Sequence, residues 1–337
     1  MGEQRASGQE RANIYDVARL AGVSHMTVSR VLNGHPSIRD ATRDRVTQAI
    51  EALKFQRSAS ARALATRRTM RLGVLVDNPV EYGPNSMLHA FEAAAQVAGY
   101  TVGSFTATEE KGRGADAALE TLFAQDIDGL CAITPRASSL HLLQQREIQV
   151  PTILIIPEAV PEMSTASVDQ FAGARIATQH LIDLGHQSIA HLGGPLDWFD
   201  ARERERGWRE TCLAAGLELG PFHEGDWTAD FGYDWALHVD PDEFSAVFVA
   251  NDQMALGVMH GLSTRGIRVP HDISIVGFDD VPDSSHYMPP LTTVRQDFKE
   301  LGRIAMELLA ESLAQSTEPR RVTLQPDLII RQSTEAR

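Results

Sequence analysis

The feature that most constrains this chain is an alternation. Short apolar runs recur at LGVLVD (72–77), YTVGSF (100–105), GLCAIT (129–134), TILII (152–156), SIAHLGG (188–194), AVFVAND (246–252) and ISIVGFDD (273–280). Between most of them lie amphipathic stretches at 86–98, 115–125, 171–184, 203–215 and 252–265. Continuously apolar strands are what a sheet covered on both faces requires, and strand–helix alternation yields parallel sheets wrapped by helices. An α/β body is therefore expected from Arg71 onward. Ligands of such sheets bind beyond the carboxyl ends of the strands, so the polar residues that follow each run are the ones to inspect.

Those residues share a chemistry. AVFVA ends in Asn251-Asp252, ISIVGF ends in Asp279-Asp280, and SIAHLGGP leads into Arg202 and Arg204. Amide, carboxylate and guanidinium groups each bond two adjacent hydroxyls, which suits a neutral polyol. Trp227, in GDWTADFGY, can lay a ring on the apolar side of a sugar. Each also has a bland reading: Asp252 as a helix cap, Arg204 as a solvated charge, Trp227 as core. There is no dinucleotide fingerprint, no P-loop and no nucleophile elbow. Asp279 and Asp280 are neighbours on a strand and point to opposite faces, which argues against a converging acid/base or metal pair. Neither a catalytic residue nor a cofactor or metal is expected. Cys131 and Cys212 sit in apolar surroundings, so neither a disulfide framework nor a zinc site is expected.

A length of 337 residues exceeds one ordinary core and points to two or three domains. The net charge of −14 hides an asymmetry. Residues 1–71 hold 13 Lys+Arg against 6 Asp+Glu, while the remainder holds 18 against 39. A small basic head that meets phosphate and a large acidic body that does not is the natural reading.

Within the head, residues 13–33 read NIYDVARLAGVSHMTVSRVLN. Asn13 is placed to cap a helix with Ile14, Val17, Ala18 and Ala21 on one face. Gly22 breaks it, and Ser24 caps a second helix whose Val28, Val31 and Leu32 face inward until Asn33-Gly34 ends it. A third helix, about Asp40–Leu53, packs Val46, Ile50 and Leu53 beneath the pair. This helix–turn–helix spacing fits a unit whose second helix enters a DNA major groove. His25, Met26, Ser29 and Arg30 point away from the apolar face; Arg30 can bond a guanine edge, and Met26 offers apolar contact to a thymine methyl. The alternative is a small helical bundle with an exposed polar face.

YDVARLAGVSHMTVSRVLNG resembles the N-terminal signature of the LacI family, and SASARALATRR sits where that family has its hinge helix. VANDQMALGVM, VGFDDVPDSSHYMPPLTTVRQDF and EGDWTADFGY extend the resemblance from about residue 13 to residue 334. It implies a helix-turn-helix domain over 11–58 and a hinge helix and linker over 59–70. It also implies a two-lobed, periplasmic-binding-protein-like body: a first lobe over 71–167 and 298–325, and a second over 168–297 and 326–334. The DNA-facing residues would be Tyr15, Ser24, His25, Met26, Thr27, Ser29, Arg30 and Asn33, joined by Ala61 and Leu64 of the hinge. Leu64 would wedge into the minor groove at the operator centre. Effector contacts would come from Arg204, Asn251 and Asp279 as hydroxyl ligands and Trp227 as the stacking ring. Gln296 and Phe298 would form the floor, and Glu81 and Pro84 of the first lobe complete the set. The chain departs from the family pattern in places. Arg57-Ser58 replaces a Pro-Asn pair. Ile156 stands where an acidic residue is expected, Val168 where a phenylalanine faces the sugar, and Glu81 where the residue is apolar. Such a wall suits a different or longer glycoside.

The function expected is a sequence-specific DNA-binding transcriptional regulator, a repressor of sugar-utilisation genes. A small sugar, a β-galactoside or related glycoside, would release it from a palindromic double-stranded operator. A surface or periplasmic sugar-binding protein would share the body but not the basic head, and a sugar-acting enzyme would need groups that do not converge. No apolar run spans a bilayer and MGEQRASGQERAN has no signal-peptide core, so a cytoplasmic protein with no membrane partner is expected. A homodimer is expected, with the apolar face near Met87–Ala98 in its interface. No heptad follows LIIRQST, so a tie between dimers is not expected. Whether the effector releases or recruits DNA binding stays open.

Overall fold

The computed structural model describes residues 12–32, 34–55, 68–78, 80–107, 120–122, 124–314 and 318–337. The chain divides into two compact units, residues 1–69 and 70–337.

In the first unit, α1 (Ile14–Ala21), α2 (His25–Leu32) and α3 (Asp40–Ala52) enclose Val17, Ala18, Ala21, Val28, Val46 and Ala49. Asn13 closes a capping box with Asp16, satisfying two backbone N–H groups that a helix start leaves open. Gly22 ends α1 at φ +65°, a left-handed conformation that glycine adopts without a Cβ penalty. Ser24 Oγ then accepts from the Thr27 N–H at 3.2 Å and starts α2. Val31 and Leu32 pack on this core from partly exposed positions. The third helix differs in detail from the sequence reading: Val46 and Ala49 are its buried residues, and Ile50 and Leu53 pack at the margin. Ala49 shares their face, and its short side chain lets the helices approach.

The second unit carries two six-stranded sheets. The first is ordered β11-β5-β4-β3-β1-β2, from β1 (Arg71–Asp77), β2 (Thr101–Ala107), β3 (Gly129–Ile133), β4 (Thr152–Ile155), β5 (Ser164–Val168) and β11 (Arg321–Leu324). The second is ordered β12-β10-β9-β8-β6-β7, from β6 (Ile189–Gly193), β7 (Phe222–Glu224), β8 (Ala246–Val249), β9 (Ser274–Asp279), β10 (Thr292–Arg295) and β12 (Asp327–Ile329). All pairs are parallel except β10–β12, a correction to the all-parallel expectation. The helices α4 (Tyr82–Val97), α5 (Ala137–Gln144) and α10 (Phe298–Leu313) go with the first sheet. With the second go α6 (Gln170–Asp183), α7 (Phe199–Ala214), α8 (Ala229–His238) and α9 (Asp252–Thr264). The chain passes between lobes at 168–170, 295–298 and 324–327.

Sequence periodicity misses β5 and β10 because STASV and TTVR look polar. Their Ser and Thr side chains are buried nonetheless, because their hydroxyls find partners: Thr293 Oγ1 donates to Asp252 at 2.6 Å, for example. The helix expected over 115–125 falls mostly outside the described residues, as do the hinge residues Arg57, Ser58, Ala61 and Leu64. The α7 helix begins at Phe199 rather than 203, and its start is docked on the first lobe. Phe199 N–H donates to Pro135 C=O at 2.8 Å, Trp198 bridges Arg136, and the Phe199 ring enters the first lobe's core.

Candidate functional site

Two sites emerge, one in each unit. In the first, Ser24, His25, Met26 and Arg30 of the second helix are exposed, while Thr27 and Ser29 are partly so. Met26 keeps 59% of its surface open to solvent, although a methionine gains by burial. Tyr15 at the start of α1 lies 5.2 Å, ring to ring, from His25, so the two helix starts present one continuous face. Asn33, Ala61 and Leu64 lie outside the described residues.

In the second unit, a cleft between the lobes is lined by Glu81, Tyr82, Gly83 and Pro84 from the first. Trp198, Asp200, Arg204, Trp227, Asn251, Asp279 and Gln296 line it from the second. The second-lobe residues follow the carboxyl ends of β6, β7, β8, β9 and β10, where a parallel sheet exposes the groups that end its strands. Their polar atoms are held by one another. Arg204 Nε donates to Gln170 at 2.9 Å, its Nη1 donates to Ala250 C=O, and its Nη2 lies 3.5 Å from Asp279. Gln296 donates to Asp279 at 2.6 Å and accepts from Gln170 at 2.8 Å. Asn251 caps α9 through Met254 N–H and donates to Trp227 C=O at 2.9 Å. The free space among these side chains is about 30 Å³, room for water and far short of a sugar ring. A sugar enters only as these bonds are exchanged or the lobes part.

The backbone at this site is strained. Asp279 sits at φ +108° and Trp227 at φ +74°, conformations that cost non-glycine residues on the order of 1–3 kcal/mol each. Asp252 holds the first of these turns: its carboxylate accepts from Val281 N–H at 2.9 Å as well as from Thr293. It reaches there because residue 277 is glycine; a Cβ would fall 2.3 Å from the carboxylate. Gly194 makes room for the Trp227 ring in the same way. Trp198 meets that ring edge-on at 5.4 Å, and the Arg204 guanidinium lies 3.8 Å over Phe278.

Burial raises the Asp279 carboxyl to about 6, against the pull of Arg204 and Gln296. Glu81 is raised too, by burial and by the charges of Asp226 and Asp279. Asp280 points away and is lowered by its bonds to Arg331 and Arg295, which outweigh its burial. The two adjacent aspartates thus diverge.

The structure brings Arg204, Trp227, Asn251, Asp279, Gln296, Glu81 and Pro84 to one cleft. Phe298 is not among its lining residues; it packs edge-on to Tyr82 at 5.9 Å inside the first lobe's core. Arg202 is exposed, stacked over Phe199 at 4.8 Å. Sequence reasoning missed Tyr82, Trp198, Asp200 and the supporting Gln170. Trp198 and Asp200 follow β6, so inspecting every residue after that run would have found them. Gln170 follows β5, the strand that periodicity does not reveal.

Comparison with known proteins bears on both sites. Residues 13–58 match the family model for bacterial regulatory proteins of the lacI family, and residues 178–334 match that for a periplasmic binding protein-like domain. The chain is 32% identical to the lactose operon repressor of Escherichia coli (strain K12), over 95% of this chain and 90% of that protein. It is 35% identical to the ribose operon repressor of the same strain, over 96% of this chain and 99% of that protein. The crystal structure of the Lac repressor dimer bound to operator and the anti-inducer ONPF matches with a TM-score of 0.88 and 32% identity, covering 97% of this chain and all of that one. A complex of the transcriptional regulator CelR with cellobiose matches with a TM-score of 0.72 and 33% identity, covering 96% of this chain and all of that one.

Proposed function

The chain belongs to the LacI family of bacterial regulatory proteins, and from that premise we propose that it represses genes of glycoside use and is released from DNA by an uncharged glycoside. As a member it is a sequence-specific DNA-binding transcriptional regulator and not an enzyme. The observation that carries the effector reading is the convergence of Arg204, Asn251, Asp279 and Gln296 at strand ends in one cleft. These groups offer paired donors and acceptors for adjacent hydroxyls and contain no activated nucleophile. Glu81, Asp200 and Asp279 face one guanidinium, Arg204, among the residues that line the cleft. That balance disfavours a phosphorylated or acidic sugar.

Occupancy must act on DNA through a difference in affinity for two arrangements of the protein. A sugar bonded to both lobes favours the arrangement in which they hold it together. The head joins the body in sequence at the first strand of the first lobe, so movement of that lobe is what the head can sense. Tyr15, Ser24, His25, Met26, Thr27, Ser29, Arg30 and Asn33 read the operator half-site, with Ala61 and Leu64 of the hinge at its centre. The regulator works in the cytoplasm on palindromic double-stranded DNA as a homodimer, two heads matching two half-sites. The apolar face of α4 expected in that contact, Met87, Leu88, Phe91 and Ala95, is buried in the first lobe's own core, so the contact between copies falls to the face around Val97, which is 92% exposed.

The test is a titration of the protein–operator complex with lactose, cellobiose and phenyl β-glycosides of galactose and glucose, followed by DNA anisotropy. Release by one of these, with no response to its 6-phosphate, is expected. Tighter DNA binding on addition would make the ligand a co-repressor. No response to any would remove the glycoside reading.

A further inference from the structure

The cleft explains only half of the Asp279-Asp280 pair. Asp279 lines it, while Asp280 points the other way. Both residues lie at positive φ, +108° and +50°. Two consecutive residues with side chains persist in that region only where the surroundings over-determine them. What surrounds the Asp280 carboxylate is a guanidinium that the chain supplies after β12. Arg331 Nη2 donates to Asp280 Oδ1 at 2.5 Å, and its Nη1 donates to Leu291 C=O at 2.7 Å and to Ser284 Oγ at 3.2 Å. One side chain thus ties the turn after β9 to the short helical turn Pro282–His286 and to the residue that precedes β10. We infer that Arg331 is a positioning residue of the effector site: it holds Asp280, and through Asp280 the strained turn that aims Asp279 at the ligand. The ligand meant is that of the glycoside reading above.

Three observations support it. First, burial separates the two cations on Asp280. Arg295 donates to the other carboxylate oxygen at 2.6 Å but is 51% exposed, whereas Arg331 is 16% exposed. An exposed pair contributes little, while a carboxylate as buried as Asp280 is left uncompensated when a buried partner is removed. Second, pinning the last segment of the chain to the lobe does not require this guanidinium. Arg331 N–H donates to Thr292 Oγ1 at 2.9 Å, Gln332 N–H donates to Pro290 C=O at 3.0 Å, and Ser333 bonds Ile275 in both directions. Third, the other supports of the turn grip other atoms. Asp252 accepts from Val281 N–H, and Thr293 Oγ1 accepts from Asp280 N–H at 3.4 Å. Besides the two arginines, Ser284 Oγ reaches the Asp280 carboxylate at 3.4 Å, a long bond.

The consequence reaches the cleft through the backbone. Without Arg331, the Asp280 carboxylate gains water only if the turn relaxes. Rotation at 279–280 takes the Asp279 carboxylate away from Arg204 and Gln296, which hold it for the ligand.

The experiment uses full-length protein and its tryptophan fluorescence, since Trp198 and Trp227 line the cleft. Wild type, Arg331→Gln and Arg331→Lys are titrated with lactose, cellobiose and the phenyl β-glycosides. Arg331→Gln should weaken the tightest probe about tenfold, and Arg331→Lys, which keeps a charged donor, should restore part of the loss. In an Asp279→Ala background the same Arg331→Gln change should cost less than about twofold, because the residue it acts through is gone. Operator affinity without sugar should stay unchanged, which also verifies folding; if Arg331→Gln fails that check, Arg331→Lys is compared in the two backgrounds instead. Amide hydrogen exchange gives a readout without ligand: the segment 279–281 should exchange faster in the variant, with α6 unchanged. Unchanged probe affinity would overturn the assignment. So would an equal loss in both backgrounds, because Arg331 would then act on the lobe as a whole. A wild type that binds none of the probes overturns the glycoside reading; the turn assignment is then decided by exchange, where an unchanged rate at 279–281 overturns it and a faster one supports it.

Discussion

Asp279 combines a backbone at φ +108° with a buried carboxylate, and both cost free energy that a purely structural residue would avoid. Asp279→Ala should leave operator binding intact and raise the effector concentration needed for release about ten- to a hundredfold. A charged acceptor contributes roughly 1.5–3 kcal/mol to such a contact. Release at the wild-type concentration would place the pocket elsewhere. The same residue gives two opposed pH effects. Its folded-state pKa of about 6 exceeds the ordinary carboxyl value of 3.8, so the folded body binds the proton more tightly than the unfolded chain. Its contribution to stability is therefore fully present below the ordinary value and lost as pH rises through about 6. Effector binding needs the ionised form and runs the other way, weakening by up to about tenfold per pH unit below that point. Effector affinity measured between pH 5 and 8 should show this fall, and Asp279→Asn should flatten it near 6.

Elements set the positions of these residues. The α8 and α9 helices cross so closely that a Cβ on Gly257 would fall 1.9 Å from Ala229 C=O. Trp227 precedes α8 and Asn251 caps α9, so that crossing positions two cleft residues at once. Gly257→Ala should destabilise the body by about 1–3 kcal/mol in urea unfolding, as overpacking does, and should weaken the effector too. Gly266→Ala is the control. Gly266 has φ +76° with open space around it, so only the backbone penalty of about 1 kcal/mol applies, and effector affinity should hold.

At the scale of the molecule, charge separates the two activities. Residues 1–71 carry the positive excess and the body the negative one. Operator affinity should fall with a log–log salt slope near −0.9 per phosphate contact, because bound Lys and Arg release condensed counterions. Affinity for an uncharged glycoside should barely move over the same range. A shallow slope for the operator, or a steep one for the effector, would contradict this division. Among the described residues no helix is long and apolar enough to cross a membrane.

Much was legible in the sequence because it is local. Asn13, Gly22 and Ser24 act within a turn of their own positions, so the head could be read from spacing alone. Runs such as AVFVA and ISIVGF declare buried strands, and Asn251 and Asp279 follow them directly, so a polar site at strand ends could be read as well. What stayed hidden depends on distant partners. STASV and TTVR are strands because residues far along the chain satisfy their hydroxyls, and Gln170 went unseen with them. Phe298 turns into the core because Tyr82 receives it there.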